Sequence, residues 1–274
     1  MEPKKTSHVQ KADTAKTTSW GNVAAWYDDT VEEEGSYQQT VILPNLLRLM
    51  ELSRGEKVLD LACGQGFFSR AFHGAGADVI GVDISKELVD IARAKSPKAI
   101  GLHVAPAHAL PFLNAQGIDK ATIVLALQNI ENMQETLAEC ARILKPKGKL
   151  YLVLNHPAFR IPKESSWGFS AEGGPASPGD EKTTGVQYRR IDRYLSNSRT
   201  EIVMHPGESG SEKTISFHRP LQVYAKAFFK SGFVIRRMEE WNSNKKSEAG
   251  PRAAAENRSR AEIPLFLALE LEKI

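Results

Sequence analysis

Residues 58–66 read Val58-Leu59-Asp60-Leu61-Ala62-Cys63-Gly64-Gln65-Gly66, and Phe67-Phe68-Ser69 follow. A mostly apolar run passes straight into a glycine turn and then into the start of a helix. Glycine lets the backbone approach a ligand closely, and a helix start presents N–H groups with no partner inside the helix. Strand, glycine turn and helix in this order form a cradle for a nucleotide-like ligand. The spacing falls one residue short of the dinucleotide fingerprint G-x-G-x-x-G, because Ser69 stands in place of the third glycine.

Charge at the turn separates the candidate ligands. Asp60 closes the strand four residues before Gly64, and a carboxylate there opposes a pyrophosphate but favours an ammonium group. S-adenosylmethionine (SAM) carries a cationic amine and a cationic sulfonium and no phosphate, so the turn suits SAM better than NAD. Asp83 ends the next strand in Gly81-Val82-Asp83-Ile84-Ser85, twenty-three positions after Asp60. An acidic side chain there accepts hydrogen bonds from both ribose hydroxyls of a nucleoside. An NAD-dependent dehydrogenase would share Asp83 but is disfavoured by Asp60 and Ser69.

Outward from the turn, strand-like and helix-like patterns alternate. Strands are expected at 78–83, 99–105, 120–127 and 149–155, with helices at 67–75, 85–95 and 133–144. Such alternation predicts βαβ units, and near-continuous apolar runs suit a parallel sheet covered on both faces. Upstream, Val41, Ile42, Leu46, Leu49 and Met50 have helical spacing within 20–53. After Asn155 the rhythm breaks. Residues 168–185 are rich in Gly, Pro and Ser and read as a loop; 186–196, 200–207 and 213–220 read as short antiparallel strands. An amphipathic helix over 221–230 precedes the last strands, 233–241 and 263–273, which a polar loop joins. The expected architecture is α/β, a doubly wound, Rossmann-like sheet of seven strands with an antiparallel last strand. Its parts are a disordered tail (1–19), N-terminal helices (20–53), a ligand-binding core (55–155), an insertion after the fifth strand (156–219) and a C-terminal helix and strands (220–274).

The chain has 274 residues, 41% of them hydrophobic and 25% charged, the make-up of a soluble globular protein of one large domain. A net charge of +3 does not call for nucleic acid. Cys63 and Cys140 are too few for a disulfide framework, which points to a cytoplasmic setting. The first twenty residues lack the apolar centre of a secretory signal. No apolar run reaches membrane-spanning length, so no membrane partner is expected. Without Cys/His clusters, no metal is expected either.

Five motifs fall in register over residues 55–155. They are the 58–66 stretch, the Gly-Val-Asp-Ile-Ser run, 107–112 (Ala-His-Ala-Leu-Pro-Phe), 125–132 (Leu-Ala-Leu-Gln-Asn-Ile-Glu-Asn) and the 141–153 run. Together they resemble the class I SAM-dependent methyltransferases, most of all the ubiquinone/menaquinone-biosynthesis-like group called methyltransferase type 11. The resemblance implies the seven-stranded sheet and a set of roles. Asp60 and the backbone at Ala62, Gly64 and Gly66 would hold the methionyl end, Asp83 the ribose, and Ile84 the adenine. Ala107 and His108 would border the adenine edge, with Gln128 and Asn129 below the sulfonium. The N-terminal helices would form a lid, with Tyr27 at the methionyl group. This sequence departs from the group at Ala62, the usual first glycine; at Pro106, usually an aspartate that receives the adenine amino group; and at Lys147, which breaks a Gly-Gly pair.

Methyl transfer is an in-line displacement at an activated carbon, so it needs alignment and exclusion of water more than a triad. A base helps only where the acceptor must lose a proton. His156, directly after the fifth strand, is the candidate catalytic base, set against a loop histidine bonded to nearby backbone. Phe159 and Trp167 are candidates for an apolar substrate wall, set against a small core of the insertion itself. Alternation along 188–194 places Arg189 and Arg193 on one strand face and Arg190 on the other. Lys245 and Arg252 lie in the loop at the ligand edge of the sheet. Arg189, Lys245 and Arg252, with Asn129, would suit an anionic small-molecule substrate. Glu248 and Glu256 interrupt the basic loop, which argues against a nucleic-acid partner. The expected activity is methyl transfer to an O, N or C atom of a small molecule, with the insertion as a substrate lid. The alternatives are a tRNA or rRNA methyltransferase and a SAM-binding protein without transferase activity. The sequence leaves the oligomeric state open.

Overall fold

The computed structural model describes residues 31–171, 185–203 and 213–274. The expected tail, Tyr27 and most of the glycine-rich loop lie outside the described residues. A wide π-helical turn, Gln38–Ile42, leads into helix α1 (Leu43–Met50). Pro44 has no N–H to give to the carbonyl four residues back, which accounts for the irregular turn just before it. Leu46, Leu49 and Met50 face inward from α1.

The core follows in the predicted alternation: β1 (Lys57–Leu61), α2 (Phe67–Gly74), β2 (Asp78–Asp83), α3 (Lys86–Lys95), β3 (Gly101–Val104), β4 (Ile118–Val124), α4 (Met133–Ile143) and β5 (Leu144–Asn155). Beyond it lie β6 (Ser165–Ser170), β7 (Val186–Ile191), β8 (Ser198–Val203), β9 (Lys213–His218), α5 (Leu221–Lys230), β10 (Phe233–Trp241), α6 (Ala253–Glu262) and β11 (Phe266–Lys273). The main sheet has the order β3-β2-β1-β4-β5-β11-β10. β1 to β5 pair in parallel, and β11 is antiparallel to both its neighbours. The seven-stranded sheet with an antiparallel last strand is therefore present.

Apolar cores cover both faces of this sheet. Successive residues of β1 alternate between them: Leu59 and Leu61 join one cluster, while Val58 joins the other with Phe68 and Phe72 of α2. Asp60 shares the face of Val58, so a carboxylate is built into the layer beneath α2. The inward positions of α4, namely Met133, Thr136, Leu137, Cys140 and Ile143, recur at three- and four-residue intervals and are all buried. Ser85 caps α3 by accepting a hydrogen bond from the Leu88 N–H, a contact worth about 1 kcal/mol.

The chain after β5 departs from expectation in two places. Residues 165–170 form a strand that pairs with β7, although the glycine-rich loop was expected to begin at 168. The loop expected between the last two strands contains α6, which buries only Ala255 and Ser259. With so narrow an inward face, α6 shows no apolar periodicity. Ser259 ties it to β7 by donating to the Gln187 carbonyl at 2.9 Å. β8 and β9 form a second antiparallel hairpin. No helix among the described residues is long and apolar enough to cross a membrane.

Candidate active site

The turn after β1 has three residues in the left-handed region: Ala62 (φ 61°), Gly64 (55°) and Gly66 (85°). Gly66 is favoured for a second reason, since a Cβ there would lie a tight 3.1 Å from that of Ala92. Ala62 adopts the same region without glycine's freedom, at a cost of about 1 kcal/mol. Three amides of this turn are already engaged. Cys63 N–H bonds to the Val82 carbonyl, Gly66 N–H to that of Cys63, and Gly64 N–H donates to Asp83 Oδ2 at 2.9 Å. Asp83 Oδ1 accepts from the Ser85 N–H at 2.9 Å. One carboxylate thus fastens the turn after β1 to the turn after β2. A pyrophosphate arriving here would meet that carboxylate rather than a nest of open N–H groups.

A cavity of about 550 Å³ opens above the carboxyl ends of β1, β2, β4 and β5. That volume lies within the ordinary range for small-molecule sites, and the crevice outside the strand ends is where such sheets bind ligands. Ala62, Gly64, Asp83, Ile84 and Leu88 form one end, and Gln128 and Asn129 form the wall after β4. Arg160, Lys163, Ser165 and Arg189 form the other end. A smaller recess of about 110 Å³ shares Ala62, Asp83, Ile84 and Asn129 and continues to Pro106, Ala107 and His108. Glu131 and Asn132 also border this recess, next to the proline that replaces the usual aspartate.

Several features of the first end suit SAM. Asp83 borders both spaces, and a carboxylate with two accepted bonds keeps lone pairs for ribose hydroxyls. Burial raises its pKa, while the bonds from Ser85 and Gly64 oppose the rise. Ile84 exposes 49% of its surface beside the recess, an apolar face open to an adenine. Gln128 donates to the Leu125 carbonyl at 2.7 Å and leaves its buried Oε1 without a partner among the described residues. Such an orphan is costly unless a ligand group supplies the donor. Arg219 braces this wall by donating to the carbonyls of Leu127, Ile130 and Glu131.

Several sequence expectations need correction. Asp60 does not line the cavity; it is 1% exposed beneath the turn. Strand register sets it opposite Thr122, and its carboxylate accepts from Thr122 Oγ1 at 3.2 Å and Ser69 Oγ at 2.6 Å. Ser69, in the third glycine's place, is thus the partner of Asp60. Burial pushes the Asp60 carboxyl up to about 6, with both hydroxyl bonds opposing. Gly66 shapes the turn and likewise does not line the cavity.

His156 is not placed as a base. It is 2% exposed and absent from the cavity wall. Its Nδ1 accepts from the Ala158 N–H at 3.2 Å, which assigns the proton to Nε2, and that proton goes to Glu240 at 2.8 Å. Burial lowers the imidazole pKa, with Glu240 opposing. The ring fastens the end of β5 to β10. Phe159 and Trp167 line a separate recess of about 90 Å³ that shares Arg160 and Arg189 with the cavity. Lys245 and Arg252 border a shallow depression elsewhere, and their charges rest on the rings of Tyr37 and Phe169. Sequence reasoning missed Arg160 and Lys163. Arg160 lies four residues after His156, and its N–H bonds to the His156 carbonyl in a tight turn.

Comparison with known proteins fits this geometry. Residues 59–152 match the family model described as a methyltransferase domain. The chain is 36% identical over 106 residues to a demethylmenaquinone methyltransferase of Renibacterium salmoninarum, covering 38% of this chain and 44% of that protein. It is 30% identical over 149 residues to a ubiquinone biosynthesis O-methyltransferase of Aromatoleum aromaticum, covering 51% and 62%. The chain thus spans about half the length of these curated relatives. A solved SAM-dependent methyltransferase from Mesorhizobium loti aligns with 84% of this chain and 96% of its own, with 27% identity and a TM-score of 0.63. Residues 59–152 thus match a methyltransferase domain, and the fold around them is similar to that of a solved SAM-dependent methyltransferase.

Proposed function

We propose that this chain is a cytoplasmic SAM-dependent methyltransferase whose acceptor is a small, anionic molecule. The observation that carries the reading is Asp83, pinned between the Gly64 and Ser85 amides at the junction of the cavity and its side recess. SAM, when bound, supplies a methyl group on a sulfonium, already activated for displacement. The chain's own residues then bind, orient and exclude water. Asp83 would hold the ribose, Ile84 the adenine face, and Ala107 and His108 the adenine edge. Ala62, Gly64 and Gln128 would border the methionyl end, with the buried charge of Asp60 beneath favouring its ammonium group.

The acceptor would enter from the insertion end of the cavity, which Asn129 and Arg189 both line. Relatives named for ubiquinone biosynthesis and demethylmenaquinone methylation support a small-molecule acceptor. Among the described residues no histidine lines the larger cavity, so alignment and dryness carry more of the rate than a histidine base.

Incubation with methyl-labelled SAM and a panel of carboxylic acids, phenols and bulk tRNA tests the reading. Label in a small acid or phenol is the expected result. Label in tRNA would transfer the assignment to an RNA methyltransferase. SAM binding with no acceptor labelled would favour a SAM-binding protein without transferase activity.

A further inference from the structure

Charge at the insertion end of the cavity is unbalanced. Arg160, Lys163 and Arg189 all line it, and no carboxylate stands among the insertion residues of that wall. Partners are available in the insertion: Arg190 pairs with Asp192 at 2.8 Å and Arg193 with Glu164 at 3.7 Å. Arg160, Lys163 and Arg189, which face the cavity, have no such carboxylate partner among the described residues.

The two guanidiniums differ in how they are held. Arg189 donates from Nε to the Phe159 carbonyl at 2.8 Å and from Nη2 to Ser165 Oγ at 2.7 Å. Its guanidinium also lies 5.1 Å over the Trp167 ring. These contacts orient it and leave Nη1 without a partner among the described residues. Arg160 lies 6.0 Å over the Phe266 ring and makes no side-chain hydrogen bond to a described residue. Arg160 is exposed to the cavity, whereas Arg189 is half-buried. Burial lowers the pKa of both groups, and the charge of Arg160 lowers that of Arg189 further. The two also line both the cavity and the recess beside it, so they face the same space. Like charges that face one cavity with no carboxylate between them repel, and an anion between them removes the conflict. Guanidinium donors are suited to gripping an oxyanion with two oxygens at once.

We propose that Arg160 and Arg189 form an oxyanion subsite that grips a carboxylate or phosphate ester of the methyl acceptor and so selects which acceptors are taken. It rests on the methyltransferase reading only in calling the ligand an acceptor; the subsite itself rests on the two arginines.

The full chain is titrated with benzoate, phenyl phosphate and uncharged benzamide at constant ionic strength, with and without S-adenosylhomocysteine. At least one anion should bind about tenfold or more tighter than benzamide. Arg160→Gln and Arg189→Gln should each weaken that anion by about tenfold or more, with partial recovery in Arg160→Lys. Arg190→Gln, on the opposite strand face, should change nothing. Preference for benzoate assigns a carboxylate and preference for phenyl phosphate a phosphate ester; either supports the subsite. Arg160→Gln should also melt at the same or a higher temperature than the wild type, because it removes an unpaired cation. Anions that bind no better than benzamide, variants that bind like the wild type, or a lowered melting temperature in Arg160→Gln would overturn the proposal. Anion binding that depends on the arginines, in a protein that does not bind S-adenosylhomocysteine, would leave the subsite standing and overturn the methyltransferase reading instead.

Discussion

The two ends of the cavity are built by different means and carry opposite charge. The end at Asp83 is made of turns that the parallel sheet itself dictates, with backbone amides and one carboxylate bonded to each other. The end at Arg160 and Arg189 is made by an insertion of small hairpins and leaves its cations without a carboxylate partner among the described residues. A ligand pair that is cationic at one end and anionic at the other satisfies both. In the proposed reading, the contrast separates what the fold would supply, a cradle for the methyl donor, from what this chain would add, a choice of acceptor.

The contrast breaks most sharply at Asp83. Asp83→Asn should weaken SAM binding by about 1.5–3 kcal/mol, roughly 10- to 150-fold, while Arg189→Gln should leave SAM affinity nearly unchanged. Comparable losses of SAM in both variants, measured by calorimetry, would mean that the two ends do not act separately.

Asp60 gives the next largest effect, and its sign follows from burial. Its folded pKa of about 6 lies above the usual 3.8, so the native state holds a proton more readily than the unfolded chain. Its contribution to stability is present below about pH 4 and is lost as pH rises through about 6. Asp60→Asn should flatten that slope in melting curves from pH 4 to 8 and add about 1–3 kcal/mol at pH 7. It should also weaken SAM by less than Asp83→Asn does, since the charge it removes lies beneath the turn and not in the cavity.

His156 sharpens the contrast from outside the cavity. His156→Gln should cost about 1–2 kcal/mol of stability and leave the rate of methyl transfer largely intact. The depressed pKa of His156 means that its contribution is present above pH 6.5 and is lost as pH falls below it. A rate that collapses in this variant with little change in melting temperature would restore His156 as a base. The smallest effects belong to residues forced into glycine conformations. Lys147 has φ 61° within β5, where its register with β4 shifts, outside the cavity. Lys147→Gly should add about 0.5–1 kcal/mol without altering SAM affinity, whereas Ala62→Gly should gain a similar amount and touch the cradle. Melting curves with and without SAM distinguish the two.

The sheet was legible because its signals are local. The apolar strands, the glycine turn and Asp83 each follow from one short stretch. Asp60 was legible as important but not in its role, because its partner Thr122 comes from a neighbouring strand and only register brings the two together. His156 misled for the reverse reason. It stands where a ligand site is expected, but its ring is claimed by Glu240 from β10, 84 positions away in sequence. Arg160 carried no signal at all, since a lone arginine in a turn reads as a solvated charge until the hairpin with Arg189 folds beside it. Helix α6 was missed because it buries too little apolar surface to show a period.

The most direct test of the turn after β1 as a SAM cradle is a calorimetric titration of SAM and NADH into the wild type and Asp83→Asn. Micromolar SAM binding, weakened at least about tenfold in the variant and with no measurable NADH binding, is the expected result. NADH binding tighter than SAM, or SAM binding indifferent to Asp83, would contradict it.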